Sequence, residues 1–128
     1  MSKLGVQNPI TAGQFIGAYN ASSVADTDWH SLTSNDFYNP ITGTQFADGL
    51  KFAVMGAVSS STSAVSFIKP REAAGAGDGS GNTDGVIPFL GTFEVDIQAL
   101  SEGESVTGMA YKKAAAGDSF IVYAGFNK

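Results

Sequence analysis

The sequence contains no cysteine. Disulfides, thiolate metal sites and cysteine nucleophiles are thereby excluded, and the fold does not depend on the redox state of its compartment. Charge is also scarce: Asp, Glu, Lys and Arg make up 15% of the 128 residues, against about 25% in an ordinary soluble domain. Seven residues are Lys or Arg and twelve are Asp or Glu, for a formal net charge of −5. A nucleic-acid binder needs a basic stripe to displace counterions from phosphate, and an anionic bilayer attracts basic clusters. The nearest approaches to either are Lys69 with Arg71 and Lys112 with Lys113. Direct binding to nucleic acid or to a membrane is therefore not expected. A single histidine, His30, cannot build a His-rich zinc site. No run approaches the ~20 apolar residues of a membrane span, and the opening MSKLGVQNPITAG lacks the apolar core of a secretory signal. The expectation is a chain made in the cytoplasm.

What is present suits one domain with a real core. Hydrophobic residues are 43% of the chain, with nine Phe and four Tyr, and a chain of this length can bury roughly two-thirds of its unfolded surface. With so few charges, Ser, Thr, Asn, Gln and the sixteen Gly must supply the polar surface. Such a surface is weakly hydrated and suits packing against partners.

From about residue 47 the pattern is one strand after another. In LKFAVMGAV, 50–58, Leu50, Phe52, Val54 and Val58 alternate with smaller or polar residues, the period of a strand with one buried face. AVSFIK at 64–69 is a shorter strand stopped by Pro70. In VIPFLGTFEVDIQ, 86–98, Ile87, Phe89, Phe93, Val95 and Ile97 share one face. Pro88 cannot donate to a ladder and belongs at an edge, while Gly91 marks a bulge or bend. SEGES, 101–105, turns the chain into VTGMAYKK, 106–113, and AAAGDS, 114–119, turns it into FIVYAGF, 120–126, with Gly117 available for a positive φ. Five strands separated by turn signals, with no convincing amphipathic helix, predict an all-β domain, an antiparallel β-sandwich of jelly-roll-like form. AAGAGDGSGNTDG, 73–85, has the composition of a flexible hairpin tip.

Residues 1–46 lack this regularity and read as an extended N-terminal arm and irregular segment, loop with one or two short strands, that packs on the domain or leaves it, against a sandwich core at 47–128. One short helical turn is possible near 23–30. Tyr19, Trp29, Phe37 and Tyr38 fall in this irregular region, where aromatics cap an open sandwich, anchor a protein interface or stack on sugars. Within it lies a repeat: NPITAGQF at 8–15 and NPITGTQF at 39–46 agree at six of eight positions. Asn and Pro specify a turn, the following Gly relaxes the chain, and Phe15 and Phe46 enter the core. The shared Gln14 and Gln45 serve neither turn nor core, which makes them candidate contacts. Phe15, Tyr19, Trp29, Phe37, Tyr38, Gln14 and Gln45 form the candidate interface.

Catalytic and metal-binding patterns are weak. Asp78, Ser80, Asn82 and Asp84 alternate like calcium ligands, but the sixth position of such a loop is Thr83 instead of Gly and the twelfth is Phe89 instead of Glu. His30 stands near Asp26, Asp28 and Ser31 without a nucleophile-elbow motif. Glu102 and Glu104 sit in a turn where solvated charge is expected. No catalytic residue, cofactor or metal is assigned.

The chain resembles the small auxiliary proteins of tailed-bacteriophage virions, of the capsid decoration or cement type. The arm-like MSKLGVQNPITAGQF, the Ser/Thr/Gly-rich strands of FADGLKFAVMGAVSSSTSAVSFIKP, the tip GAGDGSGNTDG and the terminal strand SFIVYAGFNK carry the likeness. The resemblance implies a non-enzymatic virion protein that binds the major capsid protein or other virion proteins, often as a trimer, and reinforces the shell. The alternatives are a tail or head-fibre component, or a small carbohydrate-binding β-sandwich using Trp29 and Tyr38.

Overall fold

The alternation of Phe120, Val122, Ala124 and Phe126 with Ile121 and Tyr123 makes the C-terminal segment a strand with one buried face, and the sandwich is organised around it. The computed structural model describes residues 14–70, 85–96 and 106–127. Among them run eight strands: β1 (Gln14–Asn20), β2 (His30–Thr33), β3 (Lys51–Ser59), β4 (Ser66–Lys69), β5 (Ile87–Phe89), β6 (Thr92–Asp96), β7 (Gly108–Lys112) and β8 (Phe120–Asn127). They form two four-stranded sheets, ordered β1-β8-β3-β6 and β2-β7-β4-β5. All pairings are antiparallel.

The order has a simple logic. β1 pairs with β8, β2 with β7, β3 with β6 and β4 with β5. The chain is thus one long antiparallel ribbon, folded back between β4 and β5 and wrapped into two layers, and the β3–β8 and β4–β7 pairings seal each layer. That is a jelly roll. Phe37, Phe46, Phe52 and Phe126 meet in its core with ring centroids 4.9–5.8 Å apart, alongside Leu32, Met55, Ile68, Met109, Tyr111 and Phe120.

Three expectations change. VIPFLGTFEVD is two strands, not one: Gly91, at φ 70°, donates its N–H to the Ser61 carbonyl and turns the chain from one sheet into the other. Phe89 and Phe93 still meet in the core, 5.7 Å between centroids, but from opposite sheets. In β3 the register shifts between Phe52 and Val54. The alternation reverses there, so Phe52, Met55 and Ala57 face the core while Val58 faces out. The turn at 114–119 is closed by Asp118, whose carboxylate accepts the Ala115 N–H at 3.0 Å, and Gly117 is not among the positive-φ glycines. Pro88 lies in the edge strand β5, as its missing N–H requires.

Residues 14–46, grouped with the arm on sequence grounds, pack on the domain by supplying β1 and β2, one strand to each sheet. The boundary at 46/47 divides no structural units. Between β2 and β3 the chain makes a 3-10 turn at Ser34–Asp36, C-terminal to the helical turn expected near 23–30. The buried Ser34 hydroxyl donates to the Ala47 carbonyl at 2.6 Å and accepts the Leu50 N–H at 3.1 Å, fixing both ends of this excursion. Residues 1–13, the Asp78–Asp84 loop, Ile97 and the 101–105 turn lie outside the described residues.

Candidate interaction surface

The candidate residues separate once folded. Phe37 is 0% exposed and stands edge-on to Phe52 and Phe126 at 5.8 and 5.3 Å. It is a core residue with no surface to offer a partner, so it leaves the candidate interface. Tyr19 is half-buried between Phe37 and Tyr111. Trp29, just before β2, packs on Phe67 of β4 on the second sheet, whereas Tyr38 bridges to Ala18 at the edge of the first sheet. The two aromatics proposed for sugar stacking therefore belong to different layers. Gln14 and Phe15 open β1 opposite Asn127 and Phe126. Gln45 is engaged locally, its Nε2 donating to the Asn35 carbonyl at 2.8 Å, beside the Asn35 carboxamide's bond to the Phe46 carbonyl at 3.0 Å. The second shared glutamine thus helps hold the excursion in place.

The NPIT turn at 39–42 forms as its chemistry predicts. The Asn39 side chain accepts the N–H of Ile41 at 2.8 Å and of Thr42 at 3.3 Å, and Gly43 takes φ 76° before the chain returns. The backbone then closes through Asn39 N–H to the Thr44 carbonyl at 2.8 Å and Gly43 N–H to the Asn39 carbonyl at 2.7 Å.

Two titratable groupings emerge. Asp26 accepts from His30 Nε2 at 2.6 Å, and this bond, with the Asp28 amide, holds the Asp26 carboxyl below its ordinary range. The imidazole stacks on Tyr111 at 5.4 Å, so it is braced as a structural group. Ser31 pairs with Ala110 across the β2–β7 ladder and so lies on the opposite face of β2 from His30. On the first sheet, Tyr123 donates to Glu94 Oε2 at 2.8 Å, reaching across β3. Gly56 lies beneath it: a Cβ there would overlap the Tyr123 ring and come within 2.7 Å of the Phe93 carbonyl oxygen.

Tyr111 and Tyr123 both hold their protons more tightly than a free phenol, chiefly because burial penalises the phenolate, with Tyr123 pushed up to about 12 by Glu94 in addition. The neutral phenols thus favour the folded state fully below the ordinary tyrosine value of about 10, and this contribution is lost as pH rises through the folded values. Alkaline titration followed by tyrosinate absorbance is expected to show at least two of the four tyrosines ionising only above ~11 or together with unfolding. A single step near 10 for all four would contradict this burial.

The molecule is thus a jelly-roll β-sandwich whose most distinctive side is the outer face of its first sheet. Ile16, Ala18, Tyr38, Tyr123, Ile121 and Val58 project there. β1 and β8 contain no charged residue and β3 contains only Lys51, while Glu94 and Asp96 of β6 project onto the same face, Glu94 reaching Tyr123. No protein-family model matches the chain, and no curated protein matches it in sequence. Among solved structures, it is similar to the coat protein of tobacco streak virus, with a TM-score of 0.47 and 11% identity over 100% of this chain and 91% of that one. That likeness is distant, and the jelly-roll assignment rests on the strand order. Sequence reasoning missed the exposed Ile16, Ile41, Val58 and Ile121, because alternation alone does not tell which face of a strand is covered.

Proposed function

We propose that the protein is a non-enzymatic structural component of a virion, one that binds and reinforces a capsid lattice in the manner of a decoration or cement protein. The single observation that carries this reading is the outer face of the first sheet, where β1 and β8 carry no charge and Ile16, Tyr38, Val58 and Ile121 are exposed, on a jelly roll of the kind used in capsids as well as lectins. An exposed apolar patch of this kind favours shape-matched packing against protein, and many weak copies on a repeating surface add through avidity. The separation of Trp29 from Tyr38 weighs against the sugar-binding alternative.

The test mixes the purified chain with empty shells assembled from the major capsid protein of the virus that encodes it, followed by sedimentation and electron microscopy. Saturable, regularly spaced density on the shell is expected. Absence of binding, with signal on a glycan array that disappears in Trp29→Ala, would replace the reading by the carbohydrate-binding one. The arm idea is tested by removing residues 1–13 alone, since a cut at residue 20 would strip β1 from β8.

A further inference from the structure

Three Asp-Gly pairs occur in the sequence, at 48–49, 78–79 and 84–85, and the first lies wholly among the described residues. It forms an exposed turn between the 37–46 excursion and β3. Gly49 takes φ 80°, a conformation glycine adopts at no steric cost, and a Cβ placed there would meet nothing within 4 Å. Its N–H donates to Asp48 Oδ1 at 3.0 Å. The glycine nitrogen is therefore held beside the carboxyl of the preceding residue, in the open, with no side chain to shield it. Asp26, Asp28, Asp36, Asp96 and Asp118 are each followed by a residue whose side chain crowds that nitrogen.

The two ends of the turn are tied to a single group. The Ser34 hydroxyl, wholly buried, donates to the Ala47 carbonyl at 2.6 Å and accepts the Leu50 N–H at 3.1 Å. One hydroxyl thus spans the Asp48–Gly49 link, and the spacing of the two groups it holds is that of an ordinary main chain.

We infer that Asp48–Gly49 is a self-modification site, at which aspartate isomerises to isoaspartate and releases the turn from Ser34. The Gly49 nitrogen gives up its proton and bonds to Asp48 Cγ, while the carboxyl loses a hydroxyl. Proton and hydroxyl leave as water, and a succinimide ring remains. Water then adds to one of the two ring carbonyls. Opening of the Cγ–N bond restores aspartate. Opening of the bond between nitrogen and the α-carbonyl carbon leaves the chain running through Cγ as isoaspartate, with a free α-carboxylate. Water is the only co-reactant, and nothing is oxidised or reduced. The product carries one more carbon in the main chain between Ala47 and Leu50, so Ser34 no longer meets both partners. The bonds lost are those that tie the excursion to the entry of β3, and a buried hydroxyl left unpaired is costly. The new α-carboxylate also defines a partner by its chemistry, an S-adenosylmethionine-dependent methyltransferase that esterifies isoaspartyl groups.

The test ages the full chain at physiological temperature, labels it with isoaspartyl methyltransferase and tritiated S-adenosylmethionine, and maps isoaspartate by electron-transfer fragmentation. Label is expected to accumulate with time on the peptide containing Asp48. Asp48→Glu, which would have to close a six-membered ring, is expected to lose that label and to keep any label at Asp78 and Asp84. The isoaspartate-48 fraction, resolved by ion exchange, is expected to unfold at a urea midpoint lower than that of the unaged chain by on the order of 0.5 M, whereas Asp48→Glu keeps its midpoint on ageing. An aged wild type without isoaspartate at 48 overturns the inference, and the wild-type map decides this whatever the starting stability of the variant. Isoaspartate at 48 that leaves the midpoint unchanged overturns it as well, because the turn would then not be coupled to the fold through Ser34.

Discussion

Replacing Lys113 by methionine is expected to destabilise the fold by about 3 kcal/mol or more, measured as a lower urea midpoint at unchanged slope. Lys113 is 1% exposed, an unusual place for an ammonium group. Its Nζ donates to the carbonyls of Ala21 at 3.1 Å, Ser22 at 3.4 Å, Val24 at 2.9 Å and Ala116 at 3.0 Å. These acceptors come from two connections, β1–β2 and β7–β8, so one side chain ties together two loops at one end of the sandwich. Methionine preserves most of the volume and removes every donor, leaving carbonyls that each cost roughly 1–3 kcal/mol when buried and bare. Partial hydration of the loops recovers some of that loss, which is why the expectation is not the full sum. Lys113→Arg is expected to fall between the two, since the planar guanidinium keeps the charge but not the compact geometry. A Lys113→Met protein within 1 kcal/mol of wild type would show that the loops reach water without opening the fold.

The second large effect is expected at Phe126. Its ring stands 4.9 Å from Phe52, 5.2 Å from Phe46 and 5.3 Å from Phe37, between centroids. It therefore joins β8 to β3 and to both flanks of the 37–46 excursion. Truncation to alanine removes the buried ring and leaves a cavity among residues fixed by their own strands, a change that costs about 3–5 kcal/mol in well-packed cores. Against a total stability of about 5–15 kcal/mol for a domain, the variant should unfold at markedly lower urea and lose the near-ultraviolet aromatic signal first. Phe126→Leu, which refills most of the volume, should recover more than half of the loss. If the alanine variant lost less than ~1.5 kcal/mol, the core would be looser than this packing implies.

Much of the fold was legible because period-two alternation survives wherever a strand has one wet face. β8 shows that alternation, β4 and β7, buried on both faces, are bounded instead by turn signals such as Pro70 and AAAGDS, and Pro88 marks an edge because a missing N–H can be tolerated only there. β1 and β2 were legible only as one or two short strands somewhere in residues 1–46, with a strand entry at Gln14–Phe15 where β1 does begin, and their extent was hidden for a physical reason. QFIGAYN and HSLT contain Gly, Ala, Asn and Ser, which have little intrinsic preference for strands, and they become strands because β8 and β7 offer them ladders. The reversal at Phe52–Val54 was invisible for another: a bulge changes which face is buried without altering composition. The interface candidates divided along the same line. Aromatic identity marked Phe37 and Tyr38 alike, although adjacent residues on an extended chain face opposite ways, one into the core and the other outward.

By itself the sequence determined the all-β class, the turn made by Asn39 and Pro40, and the overall scarcity of charge, because these follow from local backbone preferences and from composition. Only the tertiary structure decided that the chain wraps as a jelly roll, that Lys113 is enclosed by four carbonyls, and that Tyr38 comes beside Ala18 at the edge of the first sheet. Those outcomes depend on which strands pair across long stretches of chain, and pairing between distant segments is selected by the packing of the whole core rather than by any residue's neighbours in sequence.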